Sequence, residues 1–492
     1  MDKLKKIMNT RMITKILSII TLITSLVFMY LLKRLNILPN RYFFLIVGVL
    51  TIIEALFLMF AFNKKLKKWV LIVLDVLCAI VLIIECFGAY KLNQTYHFIN
   101  IGIRMEETRD YYYIVVNKDS EYTKVNDIES KVIYYCSDIE NIDEIKQVVT
   151  NRVHAIMDNV DNYSDLLEMI DTDKTKIILV NEATYEAINE VDEESSTEEL
   201  TEKVEKYRII DTIEIVKKIE HEETRDDITT KPFIIYLSGI DTRTGTMPST
   251  CLSDVNIYIV VNPNTRKILL IHVPRDYYIQ LHGITSMKDK LTHAGMKGGL
   301  SLSKATMEDL LGYKADFYVR VNFNSVVNLV DAIFPDGVVI KSDLNRTFKC
   351  WADNSCVFKP GNNKVTGKCA LAFARERRAY SGGDRHRGEN QEQLIKLIID
   401  KLSSTKTLLM NYDKIMGALE GNLDTNFTTE NITSFIQFQL DDMRGWTFET
   451  SNLDGPSGSA KTYSFPKQYR PVVFPKQETI DKAKEKIAEY LK

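Results

Sequence analysis

Three long apolar stretches near the N-terminus constrain this chain more than any other feature. A bilayer crossing takes about 20 mostly apolar residues, and residues 12–32, 42–62 and 69–90 each supply that length. A cleaved signal peptide would explain one such stretch, not three. The alternative of buried helices in a soluble core requires three successive runs near the spanning length by chance. Charges inside the runs are few: Lys15 near the start of the first, Glu54 in the second, Asp75 and Glu85 in the third. A carboxylate within a span is costly, so these three either contact a lipid or partner group, or face another helix or an interface.

Orientation follows the basic residues. Lys3, Lys5, Lys6 and Arg11 precede the first run, and Lys64, Lys65, Lys67 and Lys68 fill the loop between the second and third. With the first two runs forming a hairpin, both basic segments lie on one side, which the rule assigns to the cytoplasm. Lys33, Arg34 and Arg41 on the other side weaken this bias without reversing it. The expectation is a multi-pass protein of the cell membrane, with a cytoplasmic N-terminus and extracytoplasmic domains after residue 92.

The chain has 492 residues, which suggests about three units, and its 45% hydrophobic and 26% charged content suits globular domains. A net charge of −3 argues against a nucleic-acid partner, so any basic function must come from local clustering. The seven cysteines contain no C-x-x-C pair, which argues against a thiolate metal site. Cys350 and Cys356 bracket a short loop, C-W-A-D-N-S-C. Outside the cell they could form a small disulfide; otherwise they are two free thiols.

Residues 98–230 alternate strand-like runs (111–116, 132–135, 176–180) with helix-like stretches (142–157, 165–170), the pattern of a small α/β layer domain. The acidic run at 191–200 reads as a solvated loop or helix start. From residue 231 the chain reads as a further domain to residue 492. F-I-I-Y-L-S-G-I, N-I-Y-I-V-V-N-P and K-I-L-L-I-H-V-P are strands, followed by a loop bearing Gly283, Gly295, Gly298 and Gly299. Helices are expected at about 301–311, 323–333, 390–402, 428–441 and 478–491. Helices then cover both faces of a central sheet.

The densest chemistry lies in F-A-R-E-R-R-A-Y-S-G-G-D-R-H-R-G-E-N-Q, residues 373–391, where five arginines fall within 13 positions. If Arg375 and Arg377 end a strand, they point the same way. Arg387 and Gln391 share a face if a helix has begun there. Arginine's planar fork suits phosphate, although a solvated basic loop touching anionic lipid fits the same composition. Asp241 and Asp254 flank a loop and could meet at one sheet edge. Two carboxylates beside a phosphate site suit magnesium, and each could equally cap a loop. Arg243, Arg275 and Asp276 add charge at neighbouring strand ends, with Lys290 and the lone His293 nearby in sequence. No nucleotide-binding loop, nucleophile elbow or H-E-x-x-H helix is present. An extracytoplasmic enzyme must draw on bond energy already in its substrate, and a lipid-linked pyrophosphate carries it.

These residues carry a resemblance. S-G-I-D-T-R, L-S-D-V, V-P-R-D, K-L-T-H-A, N-F-N-S-V-V-N-L-V-D and, above all, F-A-R-E-R followed by G-D-R-H-R-G-E-N-Q resemble the LytR-CpsA-Psr family of Gram-positive bacteria over residues 233–405. Three spans and an intervening domain resemble its capsule-associated branch. The resemblance implies an α/β architecture: a membrane domain of three transmembrane helices (1–92), a small α/β accessory domain (98–230), and an α-β-α layered catalytic domain with a central mixed sheet (231–492). It implies transfer of a capsular polysaccharide or teichoic acid from an undecaprenyl pyrophosphate carrier to peptidoglycan. The implied partners are the lipid-linked glycan, the peptidoglycan acceptor, membrane lipid and capsule assembly proteins. Asp241 and Asp254 would hold Mg2+. Arg243, Arg275, Arg375, Arg377, Arg387 and Gln391 would bind the pyrophosphate, and Asp384 would orient an arginine or act as a base. Catalysis would fall to Arg275, Arg375, Arg377, Asp384 and Arg387, and the lipid would thread past the helices at 301–311 and 323–333. A pyrophosphate hydrolase and a non-catalytic scaffold or regulator are the alternatives. Two departures from the family pattern are F-P-D-G at 334–337 and the Cys350–Cys356 loop.

Overall fold

The computed structural model describes residues 2–98, 107–189, 206–219, 224–240, 242, 247–380, 384–402, 414–415, 417–419, 421 and 423–492. The acidic run at 191–200 lies outside them. The chain divides into two compact units.

The first unit holds α1 (Asp2–Leu35), α2 (Asn40–Phe62) and α3 (Lys68–His97). All three are long and apolar enough to cross a membrane. The Arg11 guanidinium donates to the carbonyls of Lys64 and Leu66, at 2.5 and 3.2 Å, so the two basic segments lie at one end of the bundle. Ser18, Thr21 and Ser25, spaced three and four apart, form one fully buried stripe of α1. Thr21 Oγ1 donates to Glu54 at 3.2 Å, Ser25 Oγ contacts both Glu54, at 3.0 Å, and Glu85, and Thr24 Oγ1 donates to Glu85 at 2.7 Å. Glu54 and Glu85 therefore face another helix, where polar groups replace water.

The helix Thr429–Asp442 belongs to this first unit, although chain order places it inside 231–492. The Thr428 hydroxyl caps its start, Gln437 donates to the Asn36 carbonyl, and Arg41 pairs with Asp441 at 3.4 Å.

The second unit is built on two sheets. The smaller has the order β3-β2-β4-β1-β5, from β1 (Glu107–Asn117), β2 (Val132–Cys136), β3 (Ile156–Val160), β4 (Ile177–Asn181) and β5 (Tyr207–Lys218). Helices α4 (Ile142–Val153), α5 (Tyr163–Thr172) and α6 (Glu182–Asn189) cover it. The helix expected over 142–157 stops at Val153: His154 takes a left-handed conformation there, and Ile156 starts a new strand by pairing with Val132.

The larger sheet is mixed, as expected. It comprises β6 (Phe233–Ile240), β7 (Ser253–Asn262), β8 (Lys267–Val273), β9 (Phe317–Asn322), β10 (Leu423–Thr425) and β11 (Thr447–Thr450), in the order β10-β9-β6-β7-β8-β11. β9 runs parallel to β6 and β11 parallel to β8; the other pairs are antiparallel. On one face Ile234, Tyr236, Tyr258, Val260, Leu269 and Ile271 pack against α7 (Leu291–Leu311) and the terminal helix (Gln477–Tyr490). α8 (Phe323–Ile333), α9 (Gly367–Ala374) and α10 (Asp384–Leu402) supply the other layer; a Cβ added to Gly388 of α10 would strike the His272 ring of β8.

The glycines at 295–299 sit inside α7 rather than in a loop. Gly299, at φ +58°, kinks the helix where the Ser249 carbonyl leaves 2.2 Å for a Cβ, a fit that only glycine allows. Leu252, Met296 and Phe465 join the apolar core of the small sheet, so the two sheets share buried surface.

Candidate active site

The large sheet brings its charges together through its own register. Asp254 is the second residue of β7. β8 ends at Val273, which pairs with Asn256, and Pro274 cannot extend the ladder. Arg275 then lies opposite Asp254, and its Nη1 donates to Oδ1 at 2.8 Å. Its Nε is 3.7 Å from Asp276, whose other oxygen pairs with Lys290 at 2.9 Å. All four side chains are largely withdrawn from water, Asp254 being the most exposed at 16%.

Two more cations arrive from the helical layer. The segment around Arg375 is the end of a helix and not of a strand: Arg375 is the helical C-cap of α9. Arg375 and Arg377 accordingly diverge, the first lying over the Phe323 ring at 4.5 Å, the second over Trp351 at 5.5 Å. A short apolar run ahead of a charged segment suits strand and helix equally, and packing decided it. α10 starts at Asp384, so Arg387 and Gln391 do share a helix face, and both are 93% buried, at 7% exposure each. Gln391 Oε1 has no hydrogen-bond partner among the described residues, leaving a buried acceptor for a ligand.

The electrostatics identify which arginines converge. Burial pushes the Asp254 carboxyl up, but Arg275, Arg387 and Arg375 together hold it below the usual carboxylate range. Burial likewise opposes ionisation of Asp276, and Lys290 and Arg275, with Arg387, overcome it. Among the described residues, four cations act on two carboxylates, and this excess of positive charge suits an anion. Asp241, Arg243 and the Asp384 side chain lie outside the described residues.

Several neighbours had no assigned role in the sequence. Glu376, fully buried between Arg375 and Arg377, accepts the backbone N–H groups of Trp351, Arg378 and Ala379 at 2.6, 2.7 and 2.9 Å. This carboxylate fixes the backbone of the arginine segment. His293 is structural: its Nδ1 bonds Asp289 at 2.6 Å, and Asp289 also accepts from Ser464 and the Lys290 amide. No Cys350–Cys356 bond forms. Cys356 is bonded to Cys369 of α9 with Cα atoms 5.3 Å apart, and Cys350 is a buried free thiol. The physical reason is the hairpin: Cys350 and Cys356 are joined by a backbone hydrogen bond of 2.9 Å, and the Cys356 side chain reaches α9.

The sheet face toward α8 is incompletely covered. Ile235 and Leu237 of β6 and Val319 and Val321 of β9 are half-buried in mid-sheet, as are Phe323, Val326 and Val327 at the start of α8. Only one of the two helices expected as a lipid wall can line this face. Met307 and Leu311 of the 301–311 segment are fully buried in the core on the opposite face.

Comparison with known proteins identifies the family. The model of the LytR_cpsA_psr family matches residues 184–470. The polyisoprenyl-teichoic acid–peptidoglycan teichoic acid transferase TagU of Bacillus anthracis is 32% identical over 202 residues, 41% of this chain and 63% of the relative. TagT of Bacillus subtilis, named as the same kind of transferase, is 29% identical over 233 residues, 45% of this chain and 70% of TagT. The chain therefore spans just under two thirds of the length of the TagU relative. Among solved structures, TagT bound to LI-WTA aligns with a TM-score of 0.43 and 23% identity, over 55% of this chain and 94% of that one. TagT with bound octaprenyl pyrophosphate aligns at 0.41 and 21%, over 55% and 93%.

Proposed function

The chain belongs to the LytR_cpsA_psr family, and from that premise we propose that it transfers a glycopolymer of the capsular polysaccharide or teichoic acid type from an undecaprenyl pyrophosphate carrier to peptidoglycan. The observation that carries this reading is the largely buried Arg275–Asp254 pair at 2.8 Å, whose carboxyl Arg387 and Arg375 also hold ionised. An incompletely covered apolar sheet face in the same domain suits the lipid chain.

In this mechanism the arginine forks bind the pyrophosphate oxygens, and Gln391 Oε1 accepts from a ligand hydroxyl. A hydroxyl oxygen of the acceptor attacks the sugar-side phosphorus. The bond from that phosphorus to the bridging oxygen breaks, and lipid phosphate leaves with the electron pair. The acceptor proton passes to a base, a role open to Asp384. Arg275, Arg375 and Arg387 stabilise the charge that builds on the leaving phosphate. The donor chemistry fits magnesium: Asp254 is a hard oxygen ligand kept ionised by its neighbours. With Asp241 it would hold the ion, which supplies further neutralisation of phosphate charge. Arg243 and Arg377 would extend the phosphate contacts. On this reading the chain is a multi-pass membrane protein whose N-terminus is cytoplasmic and whose domains after residue 92 face outward.

The test uses the full chain in nanodiscs with lipid-linked glycan, peptidoglycan acceptor and Mg2+. Product analysis separates transfer from hydrolysis. Arg387→Ala should lower turnover by about 100- to 1000-fold, the usual effect of removing one contact to developing charge, with folding retained. Wild-type turnover in that variant would refute the assignment.

A further inference from the structure

The loop between Cys350 and Cys356, a departure from the family pattern, is built into the arginine site. A short hairpin, Phe348–Lys349 with Val357–Phe358, carries it. Cys356 is bonded to Cys369, and Asp353 pairs with Lys368 at 2.6 Å, both partners standing on α9. The third tie is the Trp351 N–H donated to Glu376 at 2.6 Å, inside the arginine motif. Three connections therefore fix the position of Trp351.

Its side chain is nevertheless left in water. Phe348 and Phe358 of the same hairpin are buried, at 5% and 0% exposure, whereas Trp351 is 37% exposed. The guanidinium groups of Arg378 and Arg377 lie 4.5 and 5.5 Å from its ring centroid. An exposed indole is an apolar body with a polar edge, which suits the C–H face of a pyranose ring. Flanking guanidiniums donate forked hydrogen bonds to hydroxyl or phosphate oxygens. Arg377 is two residues beyond Arg375, so the two Cα atoms are separated by at most about 7 Å of chain. From there the side chains diverge, to Phe323 and to Trp351, so the indole stands to one side of a phosphate held by Arg375.

We propose that Trp351, with Arg377 and Arg378, forms a subsite for the first sugar of the lipid-linked glycan, beside the phosphate that carries it. The inference rests on the function proposed above and adds to it a residue that selects the sugar.

Two ligands test it on the full chain in nanodiscs: polyprenyl pyrophosphate, and the same lipid bearing one N-acetylhexosamine. Trp351→Ala should weaken binding of the sugar-bearing lipid by about tenfold, leave the sugar-free lipid within about twofold, and Trp351→Phe should fall between. Non-reducing peptide maps showing the Cys356–Cys369 link report that each variant keeps the loop folded. Equal losses for both lipids would overturn the subsite and make Trp351 a support for the arginines alone. Unchanged binding of both would also overturn it. A wild-type chain that binds neither lipid would refute the function on which the subsite depends.

Discussion

Asp110 of β1 holds Ser249 with both oxygens of its carboxylate, accepting the backbone N–H at 2.6 Å and the hydroxyl at 2.5 Å. Ser249 lies on the loop between the end of β6 and the start of β7, the loop that begins with Asp241 and Arg243. Thr108 of the same strand donates to the Met247 carbonyl at 2.5 Å, and Asn181 of β4 donates to Thr250 at 3.3 Å. The small sheet is thus a wall against which a loop of the candidate site is set.

Asp110→Ala would leave two half-buried donors of Ser249 without their acceptor, at a cost of about 1 kcal/mol. The expected result is a lower kcat together with a higher Mg2+ concentration for half-maximal turnover, with Asp110→Asn intermediate. A drop in melting temperature with both kinetic quantities unchanged would show that the clamp supports the fold only.

Glu392, next to Gln391 on α10, is buried, and burial lifts its carboxyl to about 8; Lys396 opposes the rise, Glu389 adds to it and Asn452 opposes it. Between the ordinary carboxylate value and about 8, the folded chain keeps a proton that the unfolded chain has lost. This group therefore lowers stability as pH rises through that window, by up to about 1.4 kcal/mol per pH unit, and the loss levels off above it. Glu392→Gln should flatten this slope and raise the melting temperature at alkaline pH. Parallel melting curves for the two proteins across the window would contradict it.

The disulfide gives a chemical prediction. Non-reducing peptide maps should link Cys356 to Cys369 and find Cys350 as a thiol that is labelled only after unfolding. Replacing the bonded pair by serine opens a loop with a sequence separation of 13 and should cost about 3 kcal/mol. Finding Cys350 in the bond would reverse the assignment.

In the membrane helices, Ser25 of α1 stands between Glu54 and Glu85. Ser25→Ala should destabilise the bundle in detergent by about 1 kcal/mol, and Ser25→Leu by more because it also crowds the stripe. Identical helix melting for all three proteins would mean that the carboxyl groups find other partners at no cost.

Much of this was legible in the chain because the signals were local. The spans followed from length and apolarity, and α8 appeared at 323–333 because its apolar positions recur at helical spacing. The arginine segment was visible as composition, and the face shared by Arg387 and Gln391 followed from spacing. What could not be read depended on contacts remote in sequence. Gly295 and Gly299 look like loop residues, but they serve the close approach of distant carbonyls, of Cys251 and Ser249, inside a helix. Arg375 and Arg377 diverge because Phe323 and Trp351 offer separate rings. Cys369 gives no local sign of pairing with Cys356, and nothing around Asp110 announces a partner 139 positions away.

The membership of Thr429–Asp442 in the first unit has a practical consequence. The second unit of this protein is not a C-terminal fragment. A preparation that simply starts after α3 would still carry a helix with Phe435 and Phe438 on it, deprived of the helices it packs with, and should aggregate through that segment. Excising residues 427–444 together with the N-terminal helices, and rejoining the chain with a polar linker, would remove the cause.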